Sequence, residues 1–220
     1  MPQESLLKMN LWKRGLGRVP ESVWDETGLE TLVLADNGLT KVSERIGGLK
    51  RLRMLDLGHN QLTAVPEAIG ELEGLTDFLY LHDNHLTDLP GSIGRLTRLR
   101  YLNISENAFC ALPEGVTRLA SLIELRASGN QMTVLPAGIG KLSRLRELHL
   151  RDNKLIALPE AVGELHELRQ LDLRGNPLGS LPVGLAGLPR LEKLDLRWVD
   201  LVEEPAWLAG LEARGCAVYR

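Results

Sequence analysis

The chain has 220 residues, a formal net charge of −3 and only two cysteines. Its charges are mixed in sign, which excludes an electrostatic footprint for nucleic acid or an anionic membrane surface, and no apolar run approaches the roughly 18 residues of a membrane span. Length alone allows one or two globular domains, but an internal repeat decides the organisation.

An asparagine recurs at Asn37, Asn60, Asn84, Asn107, Asn130, Asn153 and Asn176, in steps of 23, 24, 23, 23, 23 and 23. Around them runs the pattern Leu-x-x-Leu-x-Leu-x-x-Asn-x-Leu, then x-x-Leu-Pro, then two more apolar positions three apart, complete in Leu145–Glu167 and with other apolar residues at some leucine positions elsewhere. Alternation in Leu148-His149-Leu150 sends both leucines to one face of a short strand and the middle residue to the other. The turn after the strand leaves peptide groups inside the coil without sheet partners. A buried Asn, with two donors and a two-lone-pair acceptor, is suited to bridging the turns above and below it. Leu-Pro then sets an extended residue and a fixed φ that opens a helical turn on the outer side. No single unit buries its leucines alone, so stability is expected from nearest-neighbour stacking.

In chain order the units begin at Leu6, Leu29, Leu52, Leu75, Leu99, Leu122, Leu145, Leu168 and Leu191. The first is degenerate: Arg14 replaces Asn, and Val19-Pro20 replaces Leu-Pro. Its start, MPQESLLKMNLWKRG, does not read as a secretion signal. Ser43 replaces Pro in the second unit. The fourth, LTDFLYLHDN, holds one residue more than LRMLDLGHN, between Thr76 and Phe78, and a bulge beside Tyr80 is expected there. In the fifth, Cys110 shares a column with Thr40, Thr63, Thr87 and Thr133 and reads as a small half-buried filler. Its distance from Cys216 along a rigid stack argues against a disulfide. The ninth unit carries Val199 in place of Asn and Glu204-Pro205 after it. All four tryptophans, Trp12, Trp24, Trp198 and Trp207, fall in the two degenerate units and are expected to cover the open ends of the core. After Leu211 the tail reads as a helix end stopped by Gly215 and a last short strand able to pair with the ninth. The expectation is one domain over residues 1–220: a degenerate cap unit (1–28), regular units (29–190), and a degenerate unit with C-terminal cap (191–220).

The full pattern L-x-x-L-x-L-x-x-N-x-L-x-x-L-P-x-x-I-G-x-L, seen at Leu52–Gly74 with Val65 in place of Leu before the proline and at Leu145–Glu167 with Val in place of Ile, resembles the intracellular 23-residue leucine-rich repeats. These occur in Ras-pathway scaffolds, Scribble-like polarity proteins, plant Ras-group repeat proteins and bacterial proteins, including secreted effectors. The resemblance implies an α/β fold: a curved solenoid with a parallel sheet on the concave face, short helices or 3₁₀ turns on the convex face, and protein binding on the concave side.

Equivalent positions in such a stack lie about 5 Å apart, so exposed residues are read by column. The residue between the strand leucines runs Asn10, Val33, Asp56, Tyr80, Asn103, Arg126, His149, Asp172, Asp195. The next outward column runs Trp12, Ala35, Gly58, His82, Ser105, Ser128, Arg151, Arg174, Arg197. The preceding column includes Tyr101, Glu124, Glu147, Gln170 and Lys193. Tyr and Arg dominate interface energetics, so the candidate partner-binding residues are Tyr80, His82, Tyr101, Arg126, His149, Arg151, Arg174 and Arg197. The competing reading for Arg151, Arg174 and Arg197 is a solvated ion-pair network with Asp172, Asp195 and Glu147.

His59, His82, Asp83 and His85 occupy two successive units but different columns, and are expected to diverge rather than hold a metal. Neither a nucleophile–base arrangement nor a phosphate loop is present, so the chain reads as no enzyme, with no cofactor. The expected function is a non-catalytic interaction module or scaffold that docks a protein on the concave sheet, in the cytoplasm and as a monomer. The alternatives are a secreted bacterial effector whose repeats select a host protein, acting in the host cell, and a structural protein self-associating end to end.

Overall fold

The computed structural model describes residues 8–220; Leu6, the first strand leucine of the first unit, lies outside them. Ten three-residue strands form one open parallel sheet in sequence order: β1 (Lys8–Asn10), β2 (Thr31–Val33), β3 (Met54–Asp56), β4 (Phe78–Tyr80), β5 (Tyr101–Asn103), β6 (Glu124–Arg126), β7 (Glu147–His149), β8 (Gln170–Asp172), β9 (Lys193–Asp195) and β10 (Ala217–Tyr219). From β2 to β9 the central leucine of each strand pairs with its counterpart one repeat on, Leu32 with Leu55 and Leu55 with Leu79, and these leucines are buried in one continuous core, with Met9 of β1 and Val218 of β10 partly buried against its two ends. The fold is an α/β leucine-rich repeat solenoid.

On the opposite side stand eight five-residue 3₁₀ turns, counted among the described residues, from Glu21–Asp25 to Val183–Gly187. Seven open directly after a proline whose ring fixes the entry φ, as at Pro66 (−66°) and Pro159 (−68°). Ser43 stands in that position in the second unit with φ −71°, and its hydroxyl accepts the Arg45 N–H at 3.2 Å. The substitution therefore trades a rigid ring for a side-chain cap.

The seven asparagines are all buried and make the same set of bonds. Asn130 Nδ2 donates to Ala127 O (3.2 Å) and Ser128 O (3.2 Å) in its own turn and to Ile104 O (3.0 Å) in the preceding repeat, while its Oδ1 accepts from Phe109 N (3.1 Å). The bridge thus runs to the preceding repeat only, not to both neighbours as the sequence reading had it. Asn176 repeats the pattern with Leu173, Arg174, Leu150 and Leu155.

Immediately before each asparagine position the backbone is left-handed. Asp36, His59, Asp83, Glu106 and Asp152 have φ between 51° and 56°, and Gly129 and Gly175 sit at 63° and 66°. Such values cost a side-chain-bearing residue energy, and Asp and His tolerate them better than most.

The extra residue of the fourth unit produces no bulge in the sheet. Phe78 and Tyr80 lie in register with Met54 and Asp56 on one side and with Tyr101 and Asn103 on the other. Asp77 N and Phe78 N share Arg53 O (3.0 and 3.3 Å), as Arg53 N and Met54 N share Glu30 O (2.7 and 3.1 Å). The insertion is absorbed at Thr76, ahead of the strand, where the Thr76 carbonyl accepts from Arg100 N at 3.1 Å. Tyr80 is therefore not re-aimed.

At the C-terminal end α1 (Leu208–Ala213) stops at Gly215, whose φ is 91°, and β10 closes the sheet against β9. Leu208, Leu211 and Cys216 are buried there. Only two tryptophans join the ends of the core: Trp24 is 3% exposed, and Trp207 packs against the cluster. Trp12 and Trp198 are 57% and 69% exposed, because they stand in an outward column and in the left-handed turn (Trp198 φ 60°). Cys110 is exposed, not half-buried, as are the threonines of its column.

Two predictions follow from this arrangement. Asn130→Ala strands several buried peptide groups at about 1–3 kcal/mol each, and Asn176→Ala should cost about as much, because its bonds are the same; urea melts of the two variants measure the comparison, and a negligible cost for either contradicts the buried bridge. Trp207→Ala should lower stability and promote association by uncovering core leucines, whereas Trp198→Gly should be neutral or stabilising, since it relieves a strained φ; calorimetry with light scattering separates the two.

Candidate functional site

The outward side chains of the strands form one continuous surface. Its centre is aromatic, built from Phe78, Tyr80 and Tyr101 on β4 and β5. Phe78 and Tyr80 are two residues apart on one strand and so share a face; their rings stack at 5.8 Å. Tyr101 lies one strand over, 5.4 Å from Phe78 and 5.1 Å from Tyr80 between ring centres. His82 meets Tyr80 edge-on at 6.0 Å, and the Arg126 guanidinium sits 5.9 Å over the Tyr101 ring. Phe78 is the exposed member of the trio and the one the sequence reading missed, because the inserted residue shifts it out of the column count; aligning backward from Leu79 finds it.

Burial pushes the Tyr101 phenol up to about 12, against the pull of the Arg126 charge. Tyr80 moves in the same direction through burial and the nearby Asp56 carboxylate. Both hydroxyls therefore stay protonated donors at neutral pH. At the edge of the trio lies a shallow pocket of about 380 Å³ between Arg53, Asp77, Arg100, Tyr101 and Glu124, with Arg53 paired to Asp77 at 3.1 Å.

Toward the C-terminal end the face becomes ionic. Arg126 Nε holds Glu124 at 2.5 Å, and His149 Nε2 meets Glu147 at 3.2 Å. Arg174 takes Asp172 with two nitrogens (2.8 and 2.5 Å), Arg197 takes Asp195 likewise (2.9 and 2.8 Å), and Arg174 reaches across to Asp195 at 3.6 Å. Asp195 is 0% exposed. Burial alone would raise its carboxyl, but the bonds from Arg197 and the charge of Arg174 outweigh that and hold it below the ordinary range. Arg151 stands apart from this network, exposed and paired with Asp152 at 2.7 Å. The predicted residues thus do not form one site. Tyr80, Tyr101, His82 and Arg126 converge on one patch, while Arg174 and Arg197 are committed to neighbouring carboxylates.

The chain matches the leucine-rich repeat model over residues 27–85 and 143–201, and a leucine-rich repeat region over residues 77–152. It belongs to the leucine-rich repeat family. Its backbone superposes on a leucine-rich repeat protein of Leptospira interrogans (TM-score 0.74, 26% identity, covering 93% of this chain and 64% of that one). It is also similar to the repeat domain of the type III effector XopL (0.75, 27%, 94% and 87%), and to the plant peptide hormone receptor RGFR1, solved in complex with RGF2 (0.74, 34%, 83% and 30%). The chain spans less than two thirds of the Leptospira protein and under one third of the plant receptor. No curated protein matches it. The family is typically a non-catalytic protein-binding module.

The aromatic patch has a spectroscopic signature. A phenol raised in the folded state favours the neutral form, so its contribution to stability is complete below the unfolded value near 10 and is lost as the pH rises through about 12. An ultraviolet titration should show one tyrosine ionising near 12, absent in Tyr101→Phe. A titration in which no phenol ionises above the ordinary range contradicts the half-buried patch.

Proposed function

We propose that this chain is a non-catalytic interaction module that docks a protein or peptide segment on the sheet face, centred on Phe78, Tyr80 and Tyr101. The observation that carries the reading is the convergence of three aromatic rings within 6 Å of one another on the sheet face. Aromatic side chains supply large contact area at low entropy cost, and Arg126 beside them adds planar hydrogen bonding. The ion-paired half of the face contributes less, since Arg174 and Arg197 would have to abandon carboxylates before engaging a partner. Arg151, outside that network, has one exposed carboxylate, Asp152, to release before it engages a partner.

The same reading puts the module in the cytoplasm as a monomer, in keeping with two free thiols. Its second form, a secreted effector whose repeats select a host protein, is favoured by the similarity to the XopL repeat domain over 94% of the chain. End-to-end self-association is the remaining alternative, and light scattering against concentration tests it.

A pull-down names the partner, and surface plasmon resonance then orders the residues. Phe78→Ala, Tyr80→Ala and Tyr101→Ala should each weaken binding by about 2 kcal/mol, mostly through faster dissociation. Arg151→Ala should lose less, with an effect that shrinks as salt is raised. Glu160→Ala and Glu164→Ala, on the opposite face, should change nothing. Neutral tyrosines with a sensitive Glu160 or Glu164 overturn the proposal.

A further inference from the structure

Asp83, His59 and His82 form a chain of side chains at the edge of the sheet face. His59 occupies the left-handed turn of the third repeat and His82 the outward column of the fourth, so column counting predicted divergence. Instead their Nε2 atoms face each other at 3.2 Å, and His59 Nδ1 meets Asp83 Oδ2 at 2.6 Å. The approach depends on Gly58, under the His82 ring: a Cβ there would lie 2.4 Å from His82 Cε1.

We propose that His59 and His82 form a binding site for a divalent transition-metal ion, Cu²⁺ foremost, held between their Nε2 atoms, with Asp83 orienting His59. The spacing fits: two nitrogens at about 2.0–2.1 Å from one ion stand about 2.9 Å apart in a square-planar cis arrangement and about 3.4 Å apart in a tetrahedral one. A carboxylate on the far nitrogen of a ligating histidine fixes its tautomer and raises its basicity. With the His59 proton on Nδ1 toward Asp83, His59 Nε2 offers its lone pair. In the metal-free pair His82 then donates from Nε2, and binding requires that proton to move to Nδ1. His82 Nδ1 has no hydrogen-bond partner, so the exchange breaks no bond there. Burial, with the neighbouring His59, lowers the basicity of His82 and keeps it in the neutral form a metal needs. Asp83 lines the same groove as His59, as does Asp36, which is paired with Lys13 at 3.3 Å. Two imidazoles leave coordination positions for water or for a partner's donor, which suits Cu²⁺ and Ni²⁺ better than the closed four-ligand shell of structural zinc.

Glu124, Glu147 and His149 make a second group of donors within 4.8 Å of one another. There Glu124 already accepts from Arg126 Nε at 2.5 Å, so a cation would have to displace an arginine.

The test is calorimetric titration of the intact chain with CuCl₂, NiCl₂ and ZnCl₂ in a non-chelating buffer, with electron paramagnetic resonance of the Cu²⁺ form. The expected result is Cu²⁺ bound most tightly, at about one ion per chain with two nitrogen ligands. His59→Asn, a residue suited to the left-handed turn, and His82→Ser, the residue found at Ser105 and Ser128, should each weaken binding at least about tenfold, and Asp83→Asn by roughly 10- to 100-fold. Gly58→Ala keeps both ligands but lifts the His82 ring, and should weaken binding as well. Circular dichroism confirms that each variant is folded. Absent binding, binding unchanged in His59→Asn and His82→Ser, or binding lost in His149→Ala instead, overturns the proposal.

Discussion

A backbone that turns inside a dry core must find partners for its own peptide groups, because an unmatched buried N–H or C=O costs more than a matched one contributes. In this chain one amide side chain per repeat meets that demand. Asn60, Asn84, Asn107, Asn130, Asn153 and Asn176 each tie three carbonyls and an N–H from two successive turns. The bonds that leave each turn all run to the N-terminal neighbour, so every repeat is locked onto the one before it. The asparagine ladder itself stops at Asn176. Val199 cannot bridge back to the eighth repeat, and α1 and β10 cover the ninth with apolar side chains and sheet pairing.

The same lock fixes the surface. Once the turns are in register, strand residues 23 apart stand side by side, and any chemistry on the face is assembled from positions remote in sequence. Opposite charges at such neighbouring positions neutralise each other, as along Asp172, Arg174, Asp195 and Arg197. Apolar rings at neighbouring positions have no such recourse. Their area stays uncommitted, which is why the patch of Phe78, Tyr80 and Tyr101, rather than the arginines, is proposed as the docking centre.

The period and the leucine alternation made the strands, the asparagine bridge and the outer turns legible in the sequence, because each follows from a local pattern repeated many times. What escaped depends on geometry between columns or on backbone angles. The left-handed column is invisible because Asp36, His59, Asp83 and Glu106 are ordinary surface residues by type, and only Gly129 and Gly175 advertise the conformation. Trp12 and Trp198 look like caps by composition, yet their positions in the unit face outward. His59 and His82 come together only because Gly58 vacates the space between adjacent columns, and no single-column reading contains that information.

The insertion ties these threads together. The step from Asn60 to Asn84 is the one interval of 24 among steps of 23, and it falls in the repeat that carries Phe78, Tyr80 and His82. Because sheet register is set by the buried leucines, the added residue could not slip the strand; a slip of one would send Leu79 outward and Phe78 into the core. It was forced into the loop at Thr76 and Asp77. That loop borders the pocket between Arg53 and Arg100, with Asp77 holding Arg53 at 3.1 Å. A change that a globular core would have repacked is here displaced to the rim of the surface, beside the aromatic rings. In a solenoid whose interior is fixed by leucines and asparagines, the rim is where length variation reshapes what a partner meets while the stack stays intact.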